Sequence, residues 1–139
     1  DAVEGPTRIL RTLQRIGRSA PLHSTGVGKN LLLNFSADEI DKLVTEVKLE
    51  KLTNKTITTK EKLMEELQKV QRQGFAVDDE ECEIGVRCIA APIRDYHQKV
   101  VASISVSGPA SRLEADRFER IKHEVMQTAN SISGILNAK

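Results

Sequence analysis

The 139-residue chain has no excess of charge, no long apolar run and only two cysteines, and each shortage removes a class of function. Lys and Arg number 21 against 20 Asp and Glu, a formal net charge of +1, so no overall field draws the protein to nucleic acid or to an anionic membrane surface. Any contact with DNA has to come from elsewhere. No stretch reaches the roughly eighteen apolar residues of a membrane-spanning helix, and no signal-peptide pattern opens the chain. The expectation is a cytoplasmic protein with no membrane partner. Cys82 and Cys88 have no CxxC unit between them, which argues against a disulfide framework and for thiols in a reducing compartment. A hydrophobic content of 39% in a chain of this size suits one compact domain with a genuine core. The first residue is Asp1 rather than Met, which reads as a piece of a longer protein.

The most informative stretch runs from Glu83 to Ser107 and reads as a hairpin, with strands over Ile84–Ile93 and Lys99–Ser107 joined by a polar turn. The second strand alternates. Val100, Ala102, Ile104 and Val106 make one side, which reads as core, while Ser103, Ser105 and Ser107 share the other with Lys99 and Val101. A row of hydroxyls on one strand face can line a polar cavity or simply face solvent.

Earlier in the chain, residues 7–14 (TRILRTLQ) alternate enough for a strand. In PLHSTGVGKNLLLNF, Ser24 or Thr25 can cap a helix running to about Phe35, with Gly26 and Gly28 in its first turn and their N–H groups open to an anion. The phosphate-loop template fails here, since His23 and Asn30 stand where it needs Gly and Ser or Thr, and GVGKNL lacks the third glycine of a dinucleotide fingerprint. Glycines that merely allow close packing are the plain alternative. Capping-box spacings at Ser36/Glu39, Thr58/Glu61 and Ser111/Glu114 predict three further helices. The first two carry Ile40, Leu43, Val44 and Val47, then Leu63, Met64, Leu67 and Val70 up to Gly74, and read as covers for one side of the sheet. Between them LEKLTNKTI reads as a polar connection with room for a short strand. The last helix places Phe118, Ile121, Val125, Ala129, Ile132 and Leu136 on one stripe, suited to the sheet or to another subunit. A short strand over Phe75–Asp78 leads into the acidic run Asp78, Asp79, Glu80, Glu81 and Glu83, which reads as a solvated loop except at Asp78, where a strand end can turn a carboxyl into a cavity.

Three stretches in order, PLHSTGVGKNLL from Pro21, RQGFAVDDEECEIGVRCIAAPI from Arg72 and KVVASISVSGPASRL from Lys99, resemble the effector-binding domain of IclR-family bacterial transcription regulators; EGPTRILRTLQRIGR fits the strand before them. The resemblance implies a GAF-like α/β (α+β) fold, an antiparallel sheet flanked by helices in a single domain over residues 1–139. That domain would lack its own opening strand and helix, and the family's winged helix-turn-helix domain would lie outside this chain. It further implies a small organic acid as effector, a homodimer or homotetramer, DNA contact only through the winged domain, and no cofactor or metal. By motif position, Gly26 and Val27 are matched to backbone donors for the ligand carboxylate, and Asp78, Val86, Cys88, Ser105 and Ser107 to the pocket lining. Thr12 and Ala20 match wall positions in less distinctive surroundings. Gln98 departs from the family's turn, where Gly is common.

Other chemistries are weaker on the residues. Cys88 as a nucleophile with His23 or His97 as base would make an enzyme, but a Cys inside an apolar strand reads first as a small buried hydrophobe. A metal bound by His23, Asp78 and Cys82 or Cys88 lacks the usual ligand spacing. An assembly domain without a ligand needs only the last helix.

Overall fold

The computed structural model describes residues 21–137, in which α1 (Gly26–Leu32), α2 (Ala37–Glu46) and α3 (Lys60–Gln73) precede β1 (Ala76–Asp79), β2 (Val86–Arg94) and β3 (Val100–Pro109), and α4 (Ala115–Asn137) closes the chain. Caps explain most of the boundaries. Thr25 Oγ1 accepts from Gly28 N at the start of α1, and Ser36 and Glu39 form a reciprocal capping box at α2. At α3 the capping hydroxyl belongs to Thr59, which accepts from Lys62 N, rather than to the neighbouring Thr58. Gly74 then ends α3 in the left-handed conformation at φ 86°. The Ser111 box expected before α4 does not form, because Ser111 lies in a 3₁₀ turn over Ala110–Arg112 that precedes the helix.

Among the described residues the sheet has three antiparallel strands in the order β1-β2-β3. Asp78 pairs with Cys88 and Cys88 with Ser107; Ala76 pairs with Ala90 and Ala90 with Ser105. Paired residues share a face, so these six side chains lie on one side of the sheet, while Val77, Ile89, Ala91, Ile104 and Val106 lie on the other. Helix α1 covers the first side, so closely that a Cβ on Gly26 would come within 2.8 Å of Ala90 Cβ. Helix α4 covers the second, with Val125 and Ala129 against Ala91 and Ile93, flanked by Ile104, Ile121, Met126 and Ile132. Leu136, at the end of the predicted stripe, is exposed.

Helices α2 and α3 do not cover the sheet. They pack with Leu32 of α1 and with Leu49, burying Ile40, Leu63 and Leu67 in a cluster that contains no strand residue. The LEKLTNKTI connection forms no strand; its Thr53 and Thr56 hydroxyls instead donate to the carbonyls of Glu80 and Glu81 and hold the acidic loop in place. The predicted core side of β3 is only partly core. Val100 is 3% exposed and Ile104 half-buried, whereas Ala102 and Val106 are exposed, because α4 lies over β2 more than over the edge strand. No helix among the described residues is long and apolar enough to cross a membrane.

The β2–β3 turn is held by Asp95, whose Oδ1 accepts the N–H groups of His97 and Lys99. Gln98 occupies this turn at φ 66°, the left-handed region that suits glycine. Replacing Gln98 with Gly should therefore raise stability by about 0.5–1 kcal/mol, the relief of strain exceeding the extra chain entropy of glycine. Chemical denaturation would show this as a higher midpoint at unchanged slope, and an unchanged or lower midpoint would mean that the Gln98 conformation carries no strain.

Candidate functional site

The side of the sheet beneath α1 gathers residues that are far apart in the chain. Asp78, Cys88 and Ser107 form a row across the strands, and Ser105 stands beside Ala90 in the next row. Above them is the start of α1, where the position of a Gly26 Cβ would be 3.5 Å from Cys88 Sγ. The glycines here are needed for approach. A Cβ on Gly28 would lie 2.5 Å from both the Cα and the carbonyl oxygen of Leu22. Packing thus accounts for both glycines by itself, and the Gly26 N–H comes with it as a donor on this side, toward Cys88. Val86 is 7% exposed at the beginning of β2, two residues before Cys88 and therefore on the same side. Val27 is half-buried, and Ser105 and Ser107 are exposed. Thr12 and Ala20 lie outside the described residues.

Two groups on this side have shifted acidity. Burial pushes the Cys88 thiol up, against hydrogen bonds from the Ser107 and Ser105 hydroxyls and the Gly26 N–H, and the nearby Asp78 carboxylate pushes the same way as burial. Asp78 is 5% exposed. Burial raises its carboxyl to about 6; the Glu81 and Cys82 N–H groups and the Lys29 charge work against the rise, and the Glu81 carboxylate adds to it. Its Oδ1 accepts Glu81 N at 2.9 Å and Cys82 N at 3.3 Å.

The strongest electrostatic feature lies one turn into α1. Lys29 is completely buried, and its Nζ donates to Glu66 Oε2 at 2.6 Å, to the Val77 carbonyl at 2.8 Å and to Glu81 Oε1 and Oε2 at 2.8 and 2.9 Å. This ties α1 to α3, to β1 and to the loop after β1 through a single ammonium. The expectation of a solvated acidic loop accordingly fails for Glu81, which is 7% exposed because it is the partner of a buried cation. Next to Lys29, Asn30 donates to Ser103 Oγ at 2.9 Å, so the first hydroxyl of the β3 row anchors α1. Asn30 Oδ1 and Ser24 Oγ are buried without a hydrogen-bond partner among the described residues. Lys29 and Asn30 stand in the stretch that fails the phosphate-loop template. Only the placing of a Lys on a helix otherwise enclosed by apolar neighbours could have pointed to a buried charge.

A catalytic Cys–His pair is not assembled. A thiol pushed up by burial is a poor nucleophile, His23 Nε2 bonds the Glu50 carbonyl at 2.9 Å, and His97 stacks on Tyr96 in the distant β2–β3 turn. No three His, Cys, Asp or Glu side chains converge among the described residues in a way that could hold a metal ion. A separate cleft of about 460 Å³ opens beside Val77, Asp79, Arg87, Leu113 and Phe118. Its Arg87 is already committed to Asp79 Oδ1 and to the Ala110 and Leu113 carbonyls, and none of the residues matched to the pocket by motif lines it.

The HTH-type transcriptional repressor AllR of Salmonella typhi is 39% identical over 131 residues, which are 94% of this chain and 48% of that protein. The chain thus spans about half the length of the curated relatives it matches. The crystal structure of Thermotoga maritima IclR superposes with a TM-score of 0.87 at 34% identity, covering 98% of this chain and 55% of the other. The inducer-binding domain of PobR from Acinetobacter shares the fold, with a TM-score of 0.82 at 24% identity over 95% of this chain and 78% of that one. The family described as bacterial transcriptional regulator IclR C-terminal matches residues 1–134. With that match across almost its whole length, the chain belongs to the IclR family of bacterial transcriptional regulators, as the C-terminal, effector-binding domain.

Proposed function

We propose that this domain senses a small organic acid on the side of the sheet beneath α1. The observation that carries the reading is the row Asp78–Cys88–Ser107 under the start of α1, which collects polar groups from three strands and the Gly26 N–H on one face. The ligand carboxylate meets the N–H groups of Gly26 and Val27 and the hydroxyls of Ser105 and Ser107. Asp78 and Cys88 contact the remainder, and Val86 supplies an apolar wall. The PobR domain, a complex with 3-hydroxybenzoic acid, illustrates that this fold can hold such a molecule. Occupancy shifts the arrangement of subunits in a dimer or tetramer, and so the operator affinity of a winged helix-turn-helix domain outside this chain. A coupling of about 1–3 kcal/mol is enough for that. The protein is a regulator's sensor and not an enzyme, acting in the cytoplasm without a cofactor.

Thermal unfolding against small mono- and dicarboxylates, hydroxy acids and aromatic acids tests the reading. A true effector at a hundredfold over its dissociation constant should stabilise the domain by about 2.7 kcal/mol, and Ser105→Ala with Ser107→Ala should abolish most of that gain. A full gain retained in the double variant would place the ligand elsewhere.

A further inference from the structure

We propose that Asn30 reads a hydroxyl on the effector, so that the side beneath α1 selects a short hydroxy acid over a plain or keto acid. This rests on the effector reading above and names the acids that the same site prefers. Residues one turn apart on this side of α1 step along the sheet in time with the strands. Gly26 sits over Ala90, which pairs with Ser105; Asn30 bonds Ser103, the next hydroxyl on the same face of β3; and Asn34, just past the helix, bonds Val100. Ser103 and Ser105 are two strand residues apart, roughly 7 Å. A helical side chain leans toward the helix N-terminus, so the Asn30 amide reaches from its own row back toward that of Gly26 and Ser105.

The two asparagines of this series are satisfied differently. Asn34 uses both ends of its amide, with Nδ2 donating to the Val100 carbonyl at 2.7 Å and Oδ1 accepting Val100 N at 2.9 Å. Asn30 uses one end. Its Nδ2 donates to Ser103 Oγ at 2.9 Å, and Ser103 Oγ gives its own proton to the Ala91 carbonyl at 3.3 Å. Asn30 Oδ1 is left without a donor among the described residues, on a side chain that is completely buried. A buried acceptor left unpaired costs free energy that a ligand donor recovers. The carboxylate received by Ser105 and Ser107 has no proton to give, and neither has a keto oxygen. A hydroxyl on the second or third carbon has one, within reach of the neighbouring row. An acid without it leaves Oδ1 unpaired, which is how a polar site rejects an analogue lacking one group.

The experiment titrates acids that share a skeleton into the 139-residue chain and into Asn30→Leu: propionate with lactate and pyruvate, and butyrate with 3-hydroxybutyrate and acetoacetate. In the parent, the hydroxy member of at least one set should bind about tenfold more tightly than its plain and keto counterparts. Asn30→Leu, close in size and without the acceptor, should bring the members of that set within about twofold of one another. A readout in the parent alone removes any dependence on how the variant folds. The Asn30 side-chain amide signals of ¹⁵N-labelled protein should move with the hydroxy acid and stay in place with the plain acid at equal occupancy. Equal affinities within each set, with binding lost in Ser105→Ala/Ser107→Ala, would give Oδ1 to a buried water and overturn the inference while leaving the effector site standing. Tighter binding of the keto members would also overturn it, because the end of the amide at the ligand would then be Nδ2. A hydroxyl preference that persists in Asn30→Leu would assign it to another residue. No binding of any of these acids would remove the short-acid effector and this inference with it.

Discussion

Lys29→Met should lower the unfolding free energy by about 3–5 kcal/mol, the cost of leaving a buried charge without its partner. Glu81 is the group stranded, at 9% side-chain exposure, whereas Glu66 at 21% can turn toward water. The methionine fills most of the lysine stem, so the loss is electrostatic rather than a cavity. Scanning calorimetry should show the midpoint falling by about 10–15 °C for a domain of this size. Adding Glu81→Gln should restore a large part of the loss, because the stranded carboxylate is then gone. A loss under about 1 kcal/mol for the single variant would mean that Glu81 finds water when Lys29 is removed.

Gly28→Ala should be comparably severe, at about 3 kcal/mol or more. The new methyl would meet Leu22 Cα and O at 2.5 Å and Thr25 Oγ1 at 2.7 Å, and two of those three atoms are backbone that cannot rotate away. The third is the cap of α1, so the clash also loosens the bond from Gly28 N to Thr25 Oγ1. Gly134 gives the contrast. It lies within α4 with nothing within 4 Å of its Cβ position, and Gly134→Ala should stabilise by about 0.4–1 kcal/mol. Denaturant unfolding of the pair separates contact from conformational entropy. Equal midpoints for Gly28→Ala and the parent would mean that α1 is free to lift off Leu22.

The parts of this fold legible in the sequence are those that local chemistry decides. Period-two alternation marked β3, the Ser36/Glu39 spacing marked α2, and Gly74 marked the end of α3. Where two adjacent residues could serve, spacing chose the wrong one, as with Thr58 for Thr59. The 3₁₀ turn at Ser111 likewise displaced a start that spacing alone suggested. Long-range features stayed out of reach. Lys29, Glu66 and Glu81 are separated by 37 and 52 positions from the lysine outward, and no period links them. A Lys or Glu is also expected in solvent until its partner is known. The residue pattern singled out Asp78, the Gly26 helix start and the hydroxyl row one by one but left Ser105 and Ser107 equally suited to solvent, and only the three family-like stretches matched these residues to one pocket. The same local view missed that β3 is an edge among the described strands, which is why Val106 is exposed rather than core.

The two apolar clusters, one around Leu32, Ile40 and Leu63 and the other around Ala91, Val125 and Ala129, have no residue in common. Helix α1 is the spine between these two leaves, joined to one by Leu32 and seated on the sheet of the other by Gly26. A close-packed leaf does not yield internally. A shift of the spine is therefore taken up at its joints, at Leu32 on one side and at Gly26 on the other, rather than inside either leaf.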